Sequence, residues 1–290
     1  MSAGQPDFGV VVLTMGQRPD DLARAVQSVL DQRQVSTEVV VVGNGWRPSG
    51  LPSEVRTLAL PQNLGIPAGR NAGVPEVGGD LLFFLDDDAC LADPGFLAGM
   101  KARFDADPRL GLVQPRVVDP AGRGAPSRWV PRLRVGDPAR PGPATALWEG
   151  AVVIRREVFD LVDGWPACFF YAHEGIEVVW RTWDAGFLPW YAGDVVVHHP
   201  VIDPARHEVY YRLNARNRVW LARRNLPWLL EPAYVGSWIL LTVIRMRNRK
   251  ALRAWFAGLR EGIRVNPGGR RRMRWRTAWA MTKAGRPPVL

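Results

Sequence analysis

Four short apolar runs alternate with amphipathic segments along the first 90 residues of the chain. The runs have the length and the β-branched or aromatic content of buried strands; they are FGVVVLTM (8–15), TEVVVVGNG (37–45), EVRTLALPQNLG (54–65) and DLLFFLDDD (80–88). Residues 18–32 and 67–77 instead carry apolar side chains at helical spacing. This alternation of strands and helices predicts an α/β fold with a mostly parallel central sheet flanked by helices.

The rest of the chain is predicted to return to strands and helices after one long irregular segment. Residues 119–143 are rich in Pro, Gly and Arg, which predicts a loop of the kind that forms lids or binding loops or is disordered. Residues 145–165 have strand and then helix character. Residues 173–187 predict a helix, and residues 188–200 predict a strand that ends in two histidines.

The basic residues are concentrated at the C-terminal end. Residues 204–290 contain 20 Lys or Arg against 3 Asp or Glu, a balance of +17, so the remaining residues carry −7 of the total of +10. We therefore divide the chain into a main domain, residues 1–203, and a basic helical extension, residues 204–290. The extension is expected to contact an anionic partner, and charge alone does not choose between nucleic acid and a membrane surface.

The composition excludes several classes of protein. A length of 290 residues with 47% hydrophobic and 23% charged residues is typical of a globular protein with one large domain. The two cysteines, Cys90 and Cys168, provide neither a disulfide framework nor a metal-ligand spacing, which favours a reducing cytosol. We find no secretory signal, and no apolar run reaches the roughly 18–20 residues of a membrane-spanning helix. A cytoplasmic protein is expected.

Three consecutive aspartates, Asp86, Asp87 and Asp88, directly follow the apolar run that ends at Leu85. Adjacent carboxylates repel one another, and a bound cation is the simplest compensation. Oxygen ligands favour Mg²⁺ or Mn²⁺, which also bind substrate phosphates. A solvated acidic turn, or an N-cap for the next helix, would explain the same residues. The run alone therefore leaves a metal site and an acidic turn open.

Seven segments in order resemble those of family 2 glycosyltransferases with the GT-A fold. They are VVVLTMGQRPDDLARAVQSVLDQ, VVVVGNG, PQNLGIPAGRNAG, DLLFFLDDDA, WEGAVVIRREVFDLVDGW, FFYAHEGIEVVWR and RNRVWLARRNLP, and they cover roughly residues 8–225. The resemblance implies a GT-A domain with a nucleotide-binding half in about 1–118 and an acceptor half in about 144–203. It also implies an inverting transferase that uses a nucleotide-diphosphate sugar.

The resemblance implies a donor site and a metal site. Asp86 and Asp88 match the ends of the family's metal-binding motif, with Asp88 favoured as the direct ligand of Mg²⁺ or Mn²⁺, and either His198 or His199 as a further ligand. The implied nucleotide-sugar-binding residues are Thr14, Gly16, Arg18, Asn44, Asn63, Gly65, Gly69, Arg70, Asn71, Asp86 and Asp87. In the family an aspartate that contacts the base usually stands where this chain has Asn44.

The resemblance also implies a catalytic base. An inverting transferase needs a carboxylate that takes the proton of the acceptor hydroxyl. The family carries it in a Glu-Asp pair at the start of a helix, and here that pair is Glu174-Gly175. Glu174 is therefore the predicted base and Glu177, one helical turn further on, is the alternative. Either glutamate could instead only stabilise the first turn of the helix.

The function implied in this way is the transfer of a hexosyl or deoxyhexosyl group in cell-envelope polysaccharide synthesis. The donor would be a dTDP- or UDP-sugar, as in rhamnosyltransferase-like proteins, and the acceptor a glycan or a lipid-linked glycan. The resemblance implies that Trp148, Glu149 and Gly150 face the acceptor. Aromatic rings commonly stack on sugars, and Trp148 could equally be a core residue. The alternative is a non-catalytic GT-A-like module that binds nucleotide-sugars or glycans in a membrane assembly, and the departures from the family at Asn44 and Gly175 keep it open.

The extension combines apolar and cationic residues. Residues 234–265 mix an apolar run of about a dozen residues, too short to span a bilayer, with arginines and tryptophans, and residues 268–276 read GGRRRMRWR. This pattern predicts an interfacial helix on anionic lipid, at the inner face of the cell membrane. Packing of the apolar part on the main domain is the alternative. No nucleic-acid motif is recognised, so nucleic acid is not expected as a partner.

Overall fold

An eight-stranded β-sheet lies at the centre of the part that the structure, a computed structural model, describes, which is residues 5–201 and 208–289. The strands are β1 (Phe8–Thr14), β2 (Thr37–Asn44), β3 (Arg56–Leu60), β4 (Leu81–Asp86), β5 (Leu110–Val118), β6 (Gly142–Pro143), β7 (Ala151–Arg155) and β8 (Leu188–His198). Their order is β3-β2-β1-β4-β7-β5-β8-β6. The first four in this order are parallel, as are β5 and β8, whereas β7 and β6 run antiparallel to their neighbours. The expected mostly parallel sheet is confirmed.

Helices cover both faces of this sheet. They are α1 (Pro19–Leu30), α2 (Ile66–Gly73), α3 (Phe96–Ala106), α4 (Arg156–Leu161), α5 (Glu174–Ala185), α6 (Glu208–Asn225), α7 (Leu230–Arg245), α8 (Arg249–Arg264) and α9 (Trp275–Lys283). Val10 and Phe83 pack with α1 and α3 on one face, and their neighbours Val11 and Phe84 pack with α4 and α5 on the other. Because successive strand side chains point to opposite faces, a sheet buried on both sides needs continuous apolar runs.

Polar residues meet at one edge of the sheet. The parallel neighbours β1, β2 and β4 end there at Thr14, Asn44 and Asp86. The antiparallel strand β7 begins at the same edge, where the backbone N–H of Asp86 donates to the carbonyl oxygen of Gly150 at 2.8 Å. The residues just before β7 therefore lie beside the ends of the parallel strands.

The C-terminal helices pack against the rest of the molecule. Trp220 of α6, Tyr234 of α7 and Met281 of α9 belong to the same buried cluster as Phe84 of the sheet. The boundary predicted at residue 203 lies outside the described residues, and the division into two domains stays a prediction. Within the described ranges, no helix is both long enough and apolar enough to cross a bilayer.

Two elements are present where the sequence pattern predicted none. Residues 91–118 form α3 and β5, and β5 pairs with β7 and β8 in the second half of the sheet. The predicted long loop, residues 119–143, is irregular apart from a 3₁₀ turn at Ser127–Trp129 and the short strand β6. The helix predicted from residue 67 ends at Gly73 and continues as a 3₁₀ turn at Val74–Glu76.

Candidate active site

A cleft of about 1100 Å³ opens at the edge of the sheet where β1, β2 and β4 end. Most of the residues predicted from the sequence line it, namely Thr14, Arg18, Asn44, Asn63, Gly65, Arg70, Asp86, Asp87, Asp88, Trp148, Glu149, Gly150, Glu174 and His199. The fold thus assembles one site from segments that are far apart in the sequence. Ligands of open α/β sheets bind at this edge.

Asp87, the middle aspartate, is bound to the loop that follows β1. Thr14 donates its hydroxyl hydrogen to Asp87 Oδ2 at 2.6 Å, and Arg18 Nη2 lies 3.3 Å from Asp87 Oδ1. Burial raises the pKa of Asp87 to about 6, although the Thr14 hydrogen bond and the charge of Arg18 oppose this rise. Asp87 therefore fixes the acidic run relative to β1.

Asp86, Asp88 and His199 form a group that could hold a metal ion. One ligand atom from each residue lies within 4.8 Å of the other two. His199 Nε2 contacts Asp88 Oδ1 at 3.0 Å, and Arg18 pairs with the same carboxylate. Burial acts to raise the pKa of Asp88, but the His199 hydrogen bond and the charges of His199 and Arg18 lower it overall. Ionised carboxylates with an imidazole suit Mn²⁺ or Mg²⁺.

Arg70 is a buried cation next to this group. Its side chain is 2% exposed, and its Nη2 donates to Asp86 Oδ1 at 2.7 Å. The guanidinium carbon lies 5.1 Å from the centre of the Trp165 ring. Its Nη1 has no hydrogen-bond partner within the described ranges. A buried charge of this kind is stabilised by nearby carboxylates.

Two carboxyl groups meet at the start of α5. Glu174 is the first residue of that helix, and Glu149 Oε1 accepts the backbone N–H of Gly175 at 2.9 Å. Burial and the negative charge of Glu149 raise the pKa of Glu174 to about 8. Burial also raises the pKa of Glu149, whereas the charge of Arg70 acts to lower it. Glu174 is 3% exposed, and its Oε2 has no hydrogen-bond partner among the residues that the structure describes.

The backbone that leads into α5 is strained and is held by α6. Phe170, Ala172 and His173 have φ angles of 64°, 72° and 72°, in the left-handed region that non-glycine residues rarely adopt. The side-chain amide of Asn217 donates to three backbone carbonyls of residues 169–172 at 2.9, 2.7 and 2.9 Å. A C-terminal helix therefore positions the residues that precede Glu174.

Aromatic and basic side chains line the remainder of the cleft. Trp148 packs edge-on against His199, with ring centres 4.9 Å apart, and its backbone N–H donates to Gln114 Oε1 at 2.8 Å. Several lining residues were not predicted from the sequence, namely Arg128, Trp129, Arg132, Tyr171, Tyr210, Arg245 and Arg286. The Pro/Gly/Arg-rich composition of residues 119–143 indicated a binding loop there, but nothing in the sequence indicated residues from α6, α7 or the C-terminus.

Glu177, the alternative base, does not line the cleft. Its side chain is 1% exposed, and its carboxylate accepts hydrogen bonds from Arg224 at 2.8 Å and from Asn225 at 2.8 Å and pairs with Arg181 at 2.9 Å. A carboxylate held by two arginines and an amide is not available to an acceptor hydroxyl. The expectation that Glu177 is the alternative base is corrected on this ground.

Asn71 and His198 also lie away from the cleft. The Asn71 side chain exchanges hydrogen bonds with the backbone of Trp165 at 2.7 and 2.9 Å, so it holds α2 to the segment after α4. The backbone of His198 pairs with Cys90. In the described part of the chain, His199 and not His198 belongs to the group of metal-ligating atoms. Of the two histidines that the sequence left open, the geometry favours His199 as the candidate ligand.

Two predicted glycines serve the packing around the cleft. An ideal Cβ at Gly69 would lie 2.6 Å from Leu13 Cδ1, so glycine lets α2 approach β1 closely. At Gly16, where φ is 71°, a Cβ would lie 2.4 Å from the ring of Trp46. Neither glycine lines the cleft itself.

Asn44 lines the cleft, but its amide is used within the protein. It donates to Asn63 Oδ1 at 2.9 Å and accepts the backbone N–H of Leu64 at 2.8 Å. These bonds hold the loop before α2 against the end of β2. The position predicted to contact the base therefore shapes the wall of the cleft.

Three solved structures are similar to this one in fold. GalNAc-T7, described with UDP, GalNAc and Mn²⁺, has a TM-score of 0.63 at 16% identity, over 91% of this chain and 55% of that one. Residues 1–349 of TarS from S. aureus have a TM-score of 0.61 at 15% identity, over 89% and 80%. The mannosyltransferase PcManGT from Pyrobaculum calidifontis, in complex with GDP-Man and Mn²⁺, has a TM-score of 0.56 at 16% identity, over 96% and 79%. The expected GT-A fold is confirmed, and the chain spans about half the length of GalNAc-T7.

Comparison of the sequence with protein-family profiles identifies a family for this chain. The profile described as "Glycosyl transferase family 2" matches residues 10–162, slightly more than half of the chain. The match includes the aspartate run and the residues before β7. No curated protein sequence gives a significant match.

Proposed function

The chain belongs to glycosyl transferase family 2, and from this premise we propose that it moves a sugar from a nucleotide-diphosphate donor to an acceptor hydroxyl with inversion at the anomeric carbon. One observation carries the proposal. The same cleft contains a group that could hold a metal ion, Asp86, Asp88 and His199, and two carboxyl groups, the partly buried Glu149 and the buried Glu174. A metal ion held by the first group would suit a diphosphate, and the carboxyl pair suits removal of the proton from an acceptor hydroxyl.

Asp86, Asp88 and His199 would hold a divalent ion. Their donor set fits Mn²⁺ or Mg²⁺. Arg18 pairs with Asp88 and Arg70 pairs with Asp86, so both carboxylates are positioned by an arginine. When bound, such an ion supplies Lewis-acid stabilisation of the charge on the departing nucleoside diphosphate. GalNAc-T7 and PcManGT are both described with Mn²⁺, which supports Mn²⁺ here.

The acceptor would bind beside Trp148 and the two carboxyl groups. An aromatic face at this position can stack on a sugar ring. The proton of the acceptor hydroxyl would pass to Glu174, the base predicted from the sequence, or to Glu149, which lies beside it. The donor is proposed to be a UDP-sugar or a dTDP-sugar with a hexosyl or deoxyhexosyl group, such as rhamnose. UDP-sugar binding by TarS supports the former.

The acceptor is proposed to be a glycan or lipid-linked glycan of the cell envelope, reached at the cytoplasmic face of the membrane. Leu240, Val243 and Ile244 of α7 are 61%, 50% and 56% exposed. Residues 245–250 follow with four exposed basic side chains. Apolar side chains next to a cationic segment are typical of proteins that bind the surface of anionic membranes.

Nucleotide binding tests the donor site directly. UDP or dTDP with Mn²⁺ is expected to raise the melting temperature of the protein, because a ligand that binds only the folded state stabilises it. The variant Asp88→Asn should weaken this Mn²⁺-dependent binding by at least about tenfold. Mutation of a residue that only hydrogen-bonds to a metal ligand already lowers metal affinity by about that factor. Asp105→Asn, at an exposed surface ion pair, is the matched control. Unchanged binding by Asp88→Asn would show that the ligand assignment is wrong.

A second candidate, a non-catalytic nucleotide-sugar-binding module, is favoured by one observation. Position 175 at the start of α5 has no carboxylate side chain. Release of nucleoside diphosphate from a panel of UDP- and dTDP-sugars separates the two functions. Binding without any turnover, with or without glycan acceptors, would support the module and contradict the transferase.

A further inference from the structure

Gly175 leaves space that Glu149 fills. An ideal Cβ built at Gly175 would lie 2.5 Å from Glu149 Oε1 and 2.6 Å from Glu149 Cγ, closer than real Cβ contacts. No side chain of any kind fits at this position while Glu149 stays in place. Glu149, two residues before β7, therefore occupies the space in which a side chain of α5 would begin.

The two carboxyl groups at this point differ in their hydrogen-bond donors. Glu149 Oε1 accepts the N–H of Gly175 in the first turn of a helix of 12 residues, where backbone N–H groups favour an anion. Glu174 Oε2 has no donor in the described part of the protein. Glu149 has the backbone N–H groups of Gly175 and of its own residue as donors, whereas Glu174 has only its own. Neighbouring carboxylates do not both ionise readily, so the one with more donors carries the charge and the other keeps a proton.

From this geometry we propose that Glu149, rather than Glu174, is the base that takes the proton of the acceptor hydroxyl, an inference that rests on the proposed transferase function. Glu149 directly precedes Gly150, whose carbonyl oxygen accepts the Asp86 N–H, and its side chain reaches Gly175, so it connects the edge where β4 ends to the start of α5. Glu174 is then the neutral partner of the pair. Its pKa of about 8 agrees with this role.

With Glu149 as the base, the transfer forms one bond to the anomeric carbon and breaks another. The acceptor O–H bond breaks, its proton goes to a carboxylate oxygen of Glu149, and the acceptor oxygen bonds to the anomeric carbon. The bond from that carbon to the diphosphate oxygen breaks on the opposite face, and its electron pair leaves with the nucleoside diphosphate. Glu149 afterwards releases the proton to water, which restores the carboxylate.

Hydrolysis of the donor, in which water is the acceptor, tests the assignment without knowledge of the natural acceptor. The rate of UDP or dTDP release would be measured for the wild type, Glu149→Gln, Glu174→Gln and the exposed control Glu157→Gln. Glu149→Gln should lower kcat by at least about 100-fold, with the affinity for UDP and Mn²⁺ within about twofold of the wild type. Glu174→Gln should lower kcat by less than about tenfold, because glutamine imitates a neutral carboxyl group.

A second pair of variants tests whether Glu149 needs the space beside Gly175, and neither variant removes a carboxylate. Gly175→Ala should displace Glu149 and lower kcat at least about tenfold. Gly99→Ala, at an exposed helical glycine where a Cβ meets nothing within 4 Å, should leave kcat unchanged. Melting temperatures of all variants show whether any loss reflects unfolding.

The outcomes separate the base assignment from the proposed function. If Glu149→Gln keeps wild-type hydrolysis, or loses less activity than Glu174→Gln, the assignment is wrong while the transferase function stands. If Gly175→Ala behaves like Gly99→Ala, the spatial argument fails. A wild-type protein that processes none of the donors overturns both proposals.

Discussion

Arg70 is the residue that connects the acidic cluster to the carboxyl pair. It donates to Asp86, and its charge acts to lower the pKa of both Glu149 and Glu174. Burial has the opposite effect on these two groups, and for both of them burial is stronger. The charge of this single cation does not offset the burial, and Glu174, whose pKa is raised to about 8, keeps its proton at neutral pH. The proton is expected on Glu174, and this has a consequence for stability.

The stability of the protein should fall between about pH 5 and pH 8 through Glu174. Below about pH 4.5, folded and unfolded chains both hold this proton. As the pH rises, the unfolded chain ionises first, and the folded chain follows only near pH 8. The free energy of unfolding should therefore decrease by a few kcal/mol across this range, and Glu174→Gln should remove most of that decrease.

Urea denaturation at pH 5 and pH 8 checks this expectation. The wild type and the exposed control Glu157→Gln should lose the same stability between the two pH values. Glu174→Gln should lose less. Parallel behaviour of all three proteins would mean that Glu174 has no raised pKa.

At the scale of elements, the first turn of α5 is held by the C-terminal part of the chain. Asn217 of α6 binds the backbone before α5, and Arg224 of α6 binds Glu177 within it. Arg224 also donates to the carbonyl of Gly268 at 2.7 Å. The position of the proposed site at the start of α5 thus depends on helices that follow the main domain in sequence.

Removal of Glu177 should destabilise the protein without weakening donor binding. Glu177→Ala leaves the buried Arg181 and Arg224 without their carboxylate, and loss of one partner of such a pair costs about 3–5 kcal/mol. The free energy of unfolding and the affinity for UDP and Mn²⁺ would be measured together. Glu157→Ala, at an exposed pair, should cost no more than about 1 kcal/mol. A stable Glu177→Ala variant would contradict the structural role of this network.

Loss of the Asn217 amide should affect both stability and turnover. Asn217→Ala leaves three backbone carbonyls of residues 169–172 without this donor, at a cost of about 1–3 kcal/mol. The left-handed residues before α5 would then relax, so kcat for donor hydrolysis should fall together with the melting temperature. Asn266→Ala, at an exposed turn, is the control. Wild-type turnover in Asn217→Ala would show that the segment keeps its conformation without α6.

At the scale of the whole molecule, the C-terminal helices present two different sides. One side completes the core through Trp220, Tyr234 and Met281. Another side leaves Leu240 and Ile244 exposed, next to a segment rich in arginine. The two interpretations of the extension drawn from the sequence, packing on the main domain and contact with a membrane, are therefore compatible with each other.

Binding to lipid vesicles tests the proposed contact of α7 with a membrane surface. The wild type should sediment with vesicles that contain phosphatidylglycerol at low salt, and much less with pure phosphatidylcholine, because the attraction is partly electrostatic. Replacement of Leu240, Val243 and Ile244 by serine should reduce binding at least about tenfold. Leu161→Ser, at an exposed position in α4, is the control. Equal binding by the triple variant would contradict a membrane surface on α7.

The elements of the first 90 residues could be predicted because their signals are local. Continuous apolar runs such as LLFFL predict buried strands, and the polar residue at each strand end predicts the edge that carries the site. Residues 91–118 were not predicted, because α3 has little amphipathic pattern and β5 contains a proline within its apolar run. Glu177 was misread because a glutamate in the first turn of a helix looks the same in sequence whether it faces a cleft or two arginines.

By itself the sequence determined the strands of the first 90 residues, the motif order and the aspartates at the end of β4, since these depend on residues that are neighbours in the chain. Only the tertiary structure decided that His199 joins Asp86 and Asp88, and that Glu149 fills the space left by Gly175. Those contacts depend on an antiparallel strand that begins where a parallel one ends, a pairing between distant segments that no local pattern records.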